Sequence, residues 1–127
     1  MAKVMVVDDV PVIRETIAKL LRYEGFETIC ASNGLEALAF LRTSAPDVML
    51  VDIMMPEMDG MQLLANLRSE PRWRDMPVIV MSALNDDSHQ NQAQQLGASE
   101  YLVKTHFSAM QILESIRRFT DKKNLQH

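Results

Sequence analysis

Five short apolar runs alternating with five helix-length stretches predict an α/β domain built on a parallel sheet. Two further observations support that class. Val48 to Val51 is an uninterrupted apolar run with two β-branched residues, the pattern of a strand buried on both faces, and it stops at Asp52. Strands and helices are joined by connections of only a few residues, which argues for right-handed crossovers in one sheet.

Taken in order, Lys3 to Val7 form the first strand, with Val4 to Val7 its apolar run, and end in Asp8-Asp9. Val12 to Glu24 follows as an amphipathic helix with Ile13, Ile17, Leu20 and Leu21 on one face, Pro11 in its first turn and Gly25 as its left-handed stop. Phe26 to Ala31 is the second strand, Ser32-Asn33-Gly34 a turn, and Leu35 to Arg42 a helix burying Ala37, Leu38 and Leu41. Pro46 ends the connection into the central strand, and the turn from Pro56 to Gly60 then leads to a helix. Asp59 caps that helix with Gln62 in the capping-box position, and Leu63, Leu64 and Leu67 line its inner face. Glu70 to Met76 is a polar loop with the only Trp. Pro77 to Met81 is the fourth strand, ending in Ser82. Asp86 to Leu96 is polar apart from Ala93 and Leu96, so its packing as a helix is marginal. Gly97 stops it. Tyr101 to Val103 is the fifth strand and ends in Lys104. Ser108 and Gln111 form a second capping box, opening a final helix that buries Ile112, Leu113, Ile116 and Phe119 and frays from Asp121.

The 127 residues suit one domain. No apolar run approaches a membrane span, and the N-terminus lacks a signal-peptide pattern, so a cytoplasmic protein without a membrane partner is expected. The lone Cys30 lies inside an apolar strand and reads as a small core residue. A net charge of −4 gives no footprint for direct nucleic-acid binding, and Arg117, Arg118, Lys122 and Lys123 read as a solvated helix end.

Parallel strands end on one side of a sheet, so Asp8, Asp9, Asp52, Ser82 and Lys104 are expected at one rim. Crowded carboxylates repel one another, and a divalent cation relieves that repulsion. Oxygen ligands without His or Cys select a hard ion, and few carboxylates plus water suit Mg²⁺ better than Ca²⁺. Such a set supports phosphoryl transfer: one carboxylate attacks, Lys104 and the metal neutralise phosphoryl oxygens, and Ser82 donates a hydrogen bond. His89, His106 and His127 show no ligand or triad spacing and read as surface residues. The ten methionines, Met54, Met55, Met58 and Met61 among them, read as adaptable packing.

The pair Asp8-Asp9, the stretch from Asp52 to Gly60, Ser82-Ala83 and Lys104 match, in order and spacing, the receiver domain of two-component response regulators, which the whole chain resembles. The resemblance implies a doubly wound (βα)5 flavodoxin-like sandwich with a five-stranded parallel sheet in the order 2-1-3-4-5, an order the chemotaxis regulators of that family exemplify. It implies a receiver over residues 1–121 with a short tail at 122–127. It implies that Asp52 accepts a phosphoryl group from a phosphohistidine on a histidine kinase or histidine phosphotransfer protein. Mg²⁺ would then sit on Asp9, Asp52 and the Met54 backbone carbonyl, with Asp8 supporting. Ser82 and Tyr101 would be the switch pair, and a downstream protein would read the fourth helix, fifth strand and last helix. Such a protein is not an enzyme acting on other substrates; it catalyses only its own phosphorylation and dephosphorylation. The resemblance also places Met54 and Leu84 beside the phosphoryl group, where apolar side chains shield it from water. One departure stands out. Thr105 follows Lys104 where the family commonly has a proline after a cis bond, and a trans bond is expected because cis before a non-proline costs roughly 3 to 4 kcal/mol.

Three other readings share some of these features. A haloacid-dehalogenase-type phosphatase needs an acid two residues after its nucleophile, where this chain has Met54. A flavodoxin-like cofactor protein needs a phosphate-holding loop where this chain has Asp8-Asp9. The third is a receiver-fold scaffold or interaction module that is never phosphorylated, and the intact acid set counts against it.

Overall fold

The computed structural model describes residues 2–55, 58–83, 87–103 and 108–124, with side chains through 121. Ten elements alternate along the chain: β1 (Lys3–Val7), α1 (Pro11–Tyr23), β2 (Glu27–Ala31), α2 (Gly34–Leu41), β3 (Val48–Asp52), α3 (Gly60–Ser69), β4 (Val78–Ser82), α4 (Asp87–Gln95), β5 (Glu100–Val103) and α5 (Ala109–Asn124). All five strands are parallel in one sheet, in the order β2-β1-β3-β4-β5. That is the doubly wound order expected.

Alternation along the three inner strands divides the core into two layers. Met5, Val7, Met49, Val51, Val78 and Val80 face α2 and α3 through Ala37, Leu41, Leu63, Leu64 and Leu67. Val4, Val6, Val48, Leu50, Ile79 and Met81 face α1 and α5 through Ile17, Leu21, Ile112, Leu113 and Ile116. Both faces being covered, the inner strands read as continuous apolar runs, whereas β2 and β5 at the edges are half-exposed. Cys30 on β2 is therefore only partly buried, a correction to its reading as a core residue. Leu38, Leu20, Ile13 and Phe119 likewise border the core without being enclosed by it.

Local capping explains most helix starts. Asp59 accepts from the Gln62 N–H at 2.9 Å and the Asp59 N–H donates back to Gln62 Oε1 at 3.2 Å, the capping box expected of α3. Ser108 and Gln111 do the same before α5. For α2, Asn33 caps by accepting from the Glu36 N–H at 2.8 Å. α5 runs on through 124, into the stretch expected to fray. Among the described residues no peptide bond is cis; the Lys104–Thr105 bond, His106 and His127 lie outside them.

Gly60 is where the loop after β3 returns to the sheet. Its N–H donates to the Ile53 carbonyl at 2.9 Å. A Cβ there would fall 2.5 Å from the Asp52 carbonyl oxygen and 2.8 Å from Ile53 Cα, both backbone atoms with no rotamer to yield. Gly60→Ala is therefore expected to shift β3 against α3 and to destabilise the fold by about 1 to 3 kcal/mol, as overpacking does. Urea unfolding that leaves the midpoint unchanged would show that the contact relaxes freely.

Packing is uneven among the helices. α3 buries Met61, Leu63, Leu64 and Leu67, while α4 buries Ala93 alone. At roughly 2 kcal/mol per large apolar side chain, α3 is held by several kcal/mol more burial than α4. We expect α4 to show the fastest amide exchange of the regular elements, and exchange there as slow as in β3 would contradict it.

Candidate functional site

Strand register builds the site. Val7 of β1 lies beside Val51 of β3, so Asp8 and Asp52 leave adjacent strands at the same level. Both are held in place by hydrogen bonds that continue the sheet. The Asp8 N–H donates to the Ala31 carbonyl at 3.1 Å, and the Ile53 N–H to the Met81 carbonyl at 3.0 Å. Asp8 is fully buried and Asp52 2% exposed. With Asp9 they bring carboxylate oxygens within 4.8 Å of one another.

Asp9 is not a helix cap. The N-cap of α1 is Val10, with Pro11 at the first helical position, and it is Asp8 Oδ1 that accepts from the Val10 N–H at 2.9 Å. Asp52 Oδ1 accepts from the Met54 N–H at 3.2 Å, which ties the loop after β3 to the carboxylate. Arg14 reaches back from α1 to donate to the Asp8 carbonyl at 2.9 Å, a neighbouring cation that the sequence does not announce.

Two unit charges 4.8 Å apart repel by about 3 kcal/mol at an effective dielectric of about 20. A site holding three acids, two of them buried, fits a hard divalent cation on that ground alone, because the donors are all carboxylate oxygens. When bound, such an ion would neutralise the acids and polarise the oxygens of an incoming phosphoryl group.

The remaining expected residues fall as follows. Ser82 is buried at the end of β4, one strand beyond Asp52, which pairs with Met81. Tyr101 lies on β5 opposite Val80, half-buried and packed on the core layer that faces α2 and α3. Lys104, one residue past Val103, and Leu84 lie outside the described residues, so the rim is described for Asp8, Asp9, Asp52 and Ser82. Met54 is 58% exposed and lines a cleft of about 460 Å³ with Asp9, Met55, Asp59, His89 and Gln92. His89 thus turns from a presumed surface residue into a half-buried cleft residue, because the first turns of α4 face the site. Size does not mark the site: a groove of about 730 Å³ between α1 and the β2 edge is larger, yet it gathers no carboxylate cluster among the described residues.

Comparison with known proteins agrees with this geometry. The family described as "Response regulator receiver domain" matches residues 4–117. The protein PilG of Pseudomonas aeruginosa is 36% identical over 115 residues, covering 91% of this chain and 84% of its own. The probable transcriptional regulator ycf27 of Porphyra purpurea is 37% identical over 94% of this chain, which spans 49% of that protein; the chain covers about half the length of several such relatives. Among solved structures, the Francisella response regulator 1452 receiver domain superposes with a TM-score of 0.90 at 32% identity, covering 97% of this chain and 99% of its own. The Vibrio cholerae chemotaxis protein CheY4 superposes with a TM-score of 0.88 at 29% identity, covering 94% and 98%. A buried acid pair on adjacent parallel strands, a third acid beside it and these likenesses have one explanation: the chain belongs to the response regulator receiver domain family, the phosphoacceptor modules of phosphorelay signalling.

Proposed function

We propose that Asp52 is the phosphoacceptor and that the domain takes its phosphoryl group from a phosphohistidine on a histidine kinase or histidine phosphotransfer protein. The observation that carries the reading is the burial of Asp52 beside Asp8 and Asp9, where the ends of β1 and β3 bring three carboxylates together. In the step, an Asp52 carboxylate oxygen forms a bond to phosphorus while the N–P bond to the donor imidazole breaks and its electron pair returns to the ring nitrogen. The Met54 N–H fixes how the Asp52 carboxylate is turned. Asp9, Asp52 and the Met54 carbonyl would hold Mg²⁺, with Asp8 in support. Lys104 neutralises a phosphoryl oxygen and the Ser82 hydroxyl donates to another. As Ser82 turns toward the group, Tyr101 follows inward, and the face made by α4, β5 and α5 changes for a downstream protein.

On this reading the protein catalyses only its own phosphorylation and dephosphorylation, binds no nucleic acid directly and works in the cytoplasm, where its donors present phosphohistidine. Asp52→Asn is nearly isosteric and relieves like-charge crowding, so it is expected to fold and to lose Mg²⁺-dependent labelling by acetyl phosphate. Stoichiometric labelling of that variant would overturn the assignment. A parent chain that takes no label at all would favour the scaffold alternative.

The lifetime of the acyl phosphate follows from the same cleft. The resemblance puts Met54, two residues after Asp52, and Leu84, two after Ser82, beside the phosphoryl group, and apolar side chains there would leave attacking water unoriented; Met54 lines the cleft. Each 1.4 kcal/mol of lost transition-state stabilisation slows hydrolysis about tenfold, so decay slow for the family is expected. Met54→Asn combined with Leu84→Glu is expected to speed decay at fixed Mg²⁺. Decay no faster than in the parent would show that these residues are not the shield.

A further inference from the structure

Four methionines follow Asp52 within nine residues, and their sulfurs are not equally accessible. Met61 is 8% exposed, on the inner face of α3. Met55 and Met58 are half-buried and pack against the core layer that faces α2 and α3. Met58 is confined further: Asn66 Nδ2 donates to its sulfur at 3.8 Å, and a Cβ on Gly34 would fall 2.8 Å from its Cγ. Met5, Met49 and Met81 are fully buried in the sheet, and Met76 is 9% exposed. Among the described residues only Met54, at 58%, and Met110, at 64%, are exposed methionines. Met110 lies in the first turn of α5 and outside the cleft, whereas Met54 lines the cleft with Asp9, Asp59 and His89.

The backbone beneath Met54 is fixed, because its N–H donates to Asp52 Oδ1 at 3.2 Å. The thioether is thus held at the mouth of the phosphoacceptor cleft and open to solvent. A cleft of about 460 Å³ admits a molecule the size of hydrogen peroxide, which is uncharged and so is not repelled by the acids. Thioether oxidation follows exposure, and it turns a weak acceptor into a strongly polar one.

We propose that Met54 is an oxidation site through which a hydroperoxide shortens the life of the acyl phosphate. The proposal rests on Asp52 being phosphorylated. A lone pair of the Met54 sulfur forms a bond to one peroxide oxygen, the O–O bond breaks, and the departing oxygen takes the proton of the transferred hydroxyl, leaving as water or as an alcohol. Sulfur is oxidised to the sulfoxide while the peroxide is reduced. The side chain then passes from excluding water to holding one beside the phosphoryl group, since the sulfoxide oxygen accepts a hydrogen bond from it.

The test treats the whole chain with hydrogen peroxide and then with a thiol, which reverses a sulfenate or disulfide at Cys30 but leaves a sulfoxide in place. Peptide masses give the oxidised positions, and decay of the label from acetyl phosphate at fixed Mg²⁺ gives the lifetime. Met54 is expected to gain one oxygen well before Met55, Met58 or Met61, and the label to decay roughly three- to tenfold faster than in untreated protein. Methionine sulfoxide reductases for both epimers are expected to restore the slow decay. Met54→Leu is expected to decay equally with and without peroxide, whatever its own rate, and Met110→Leu to respond as the parent does. Oxidation of Met54 no faster than of Met55 or Met58, unchanged decay once Met54 is oxidised, fast decay that the reductases do not reverse, or a Met54→Leu variant that still responds to peroxide overturns the proposal alone. An untreated parent that takes no label overturns both the proposal and the phosphoacceptor reading beneath it.

Discussion

The pairing of β1 with β3 is the constraint on which the rest depends. Because Val7 and Val51 sit side by side in a parallel ladder, the next residue of each strand is an aspartate, and the two carboxylates are driven together by backbone hydrogen bonds rather than by any attraction of their own. The sheet tolerates this since its inner strands bury Val, Leu, Ile and Met on both faces. The rim lies just beyond that burial. Repulsion among Asp8, Asp9 and Asp52 is therefore a cost that a bound cation would remove.

The same geometry separates rigid from responsive parts. Gly60 presses the start of α3 onto the backbone of Asp52 and Ile53, so the loop that carries Met54 is closed on a fixed frame. Across the cleft stands α4, whose polar sequence commits one alanine to the core. A wall with little burial behind it is held weakly. Edge position does similar work for β5. Tyr101 on this edge strand is half-buried and packs on the core layer that faces α2 and α3.

What could be read from the sequence follows the range of the interactions. Strand ends, capping boxes at Asp59 and Ser108, and helix faces at 3.6 spacing are local patterns, and they appear where expected. The gathering of Asp8, Asp9, Asp52 and Ser82 at one rim needed only the parallel topology. The strand order came from the resemblance, since periodicity says nothing of neighbours, and without the order Cys30 could not be seen as an edge residue. Orientation on α4 is also illegible: a helix without an apolar stripe gives no inward face, so nothing in the sequence marks His89 as lining the cleft. Arg14 on the Asp8 carbonyl and Arg68 on Gly97 bond to backbone oxygens, six and 29 residues away. Any residue offers such an acceptor, and no pattern marks which one is used.

The central claim is that the buried carboxylate at the end of β3, and not its neighbours, forms the acyl phosphate. Borohydride reduces an aspartyl phosphate to homoserine, so it marks the acceptor chemically. The protein would be incubated with Mg²⁺ and acetyl phosphate, reduced, digested and sequenced by mass spectrometry. Homoserine at position 52, and only when Mg²⁺ is present, is the result expected. Homoserine at Asp8, Asp9 or Asp59, or equal conversion of Asp52 without the metal, would contradict it.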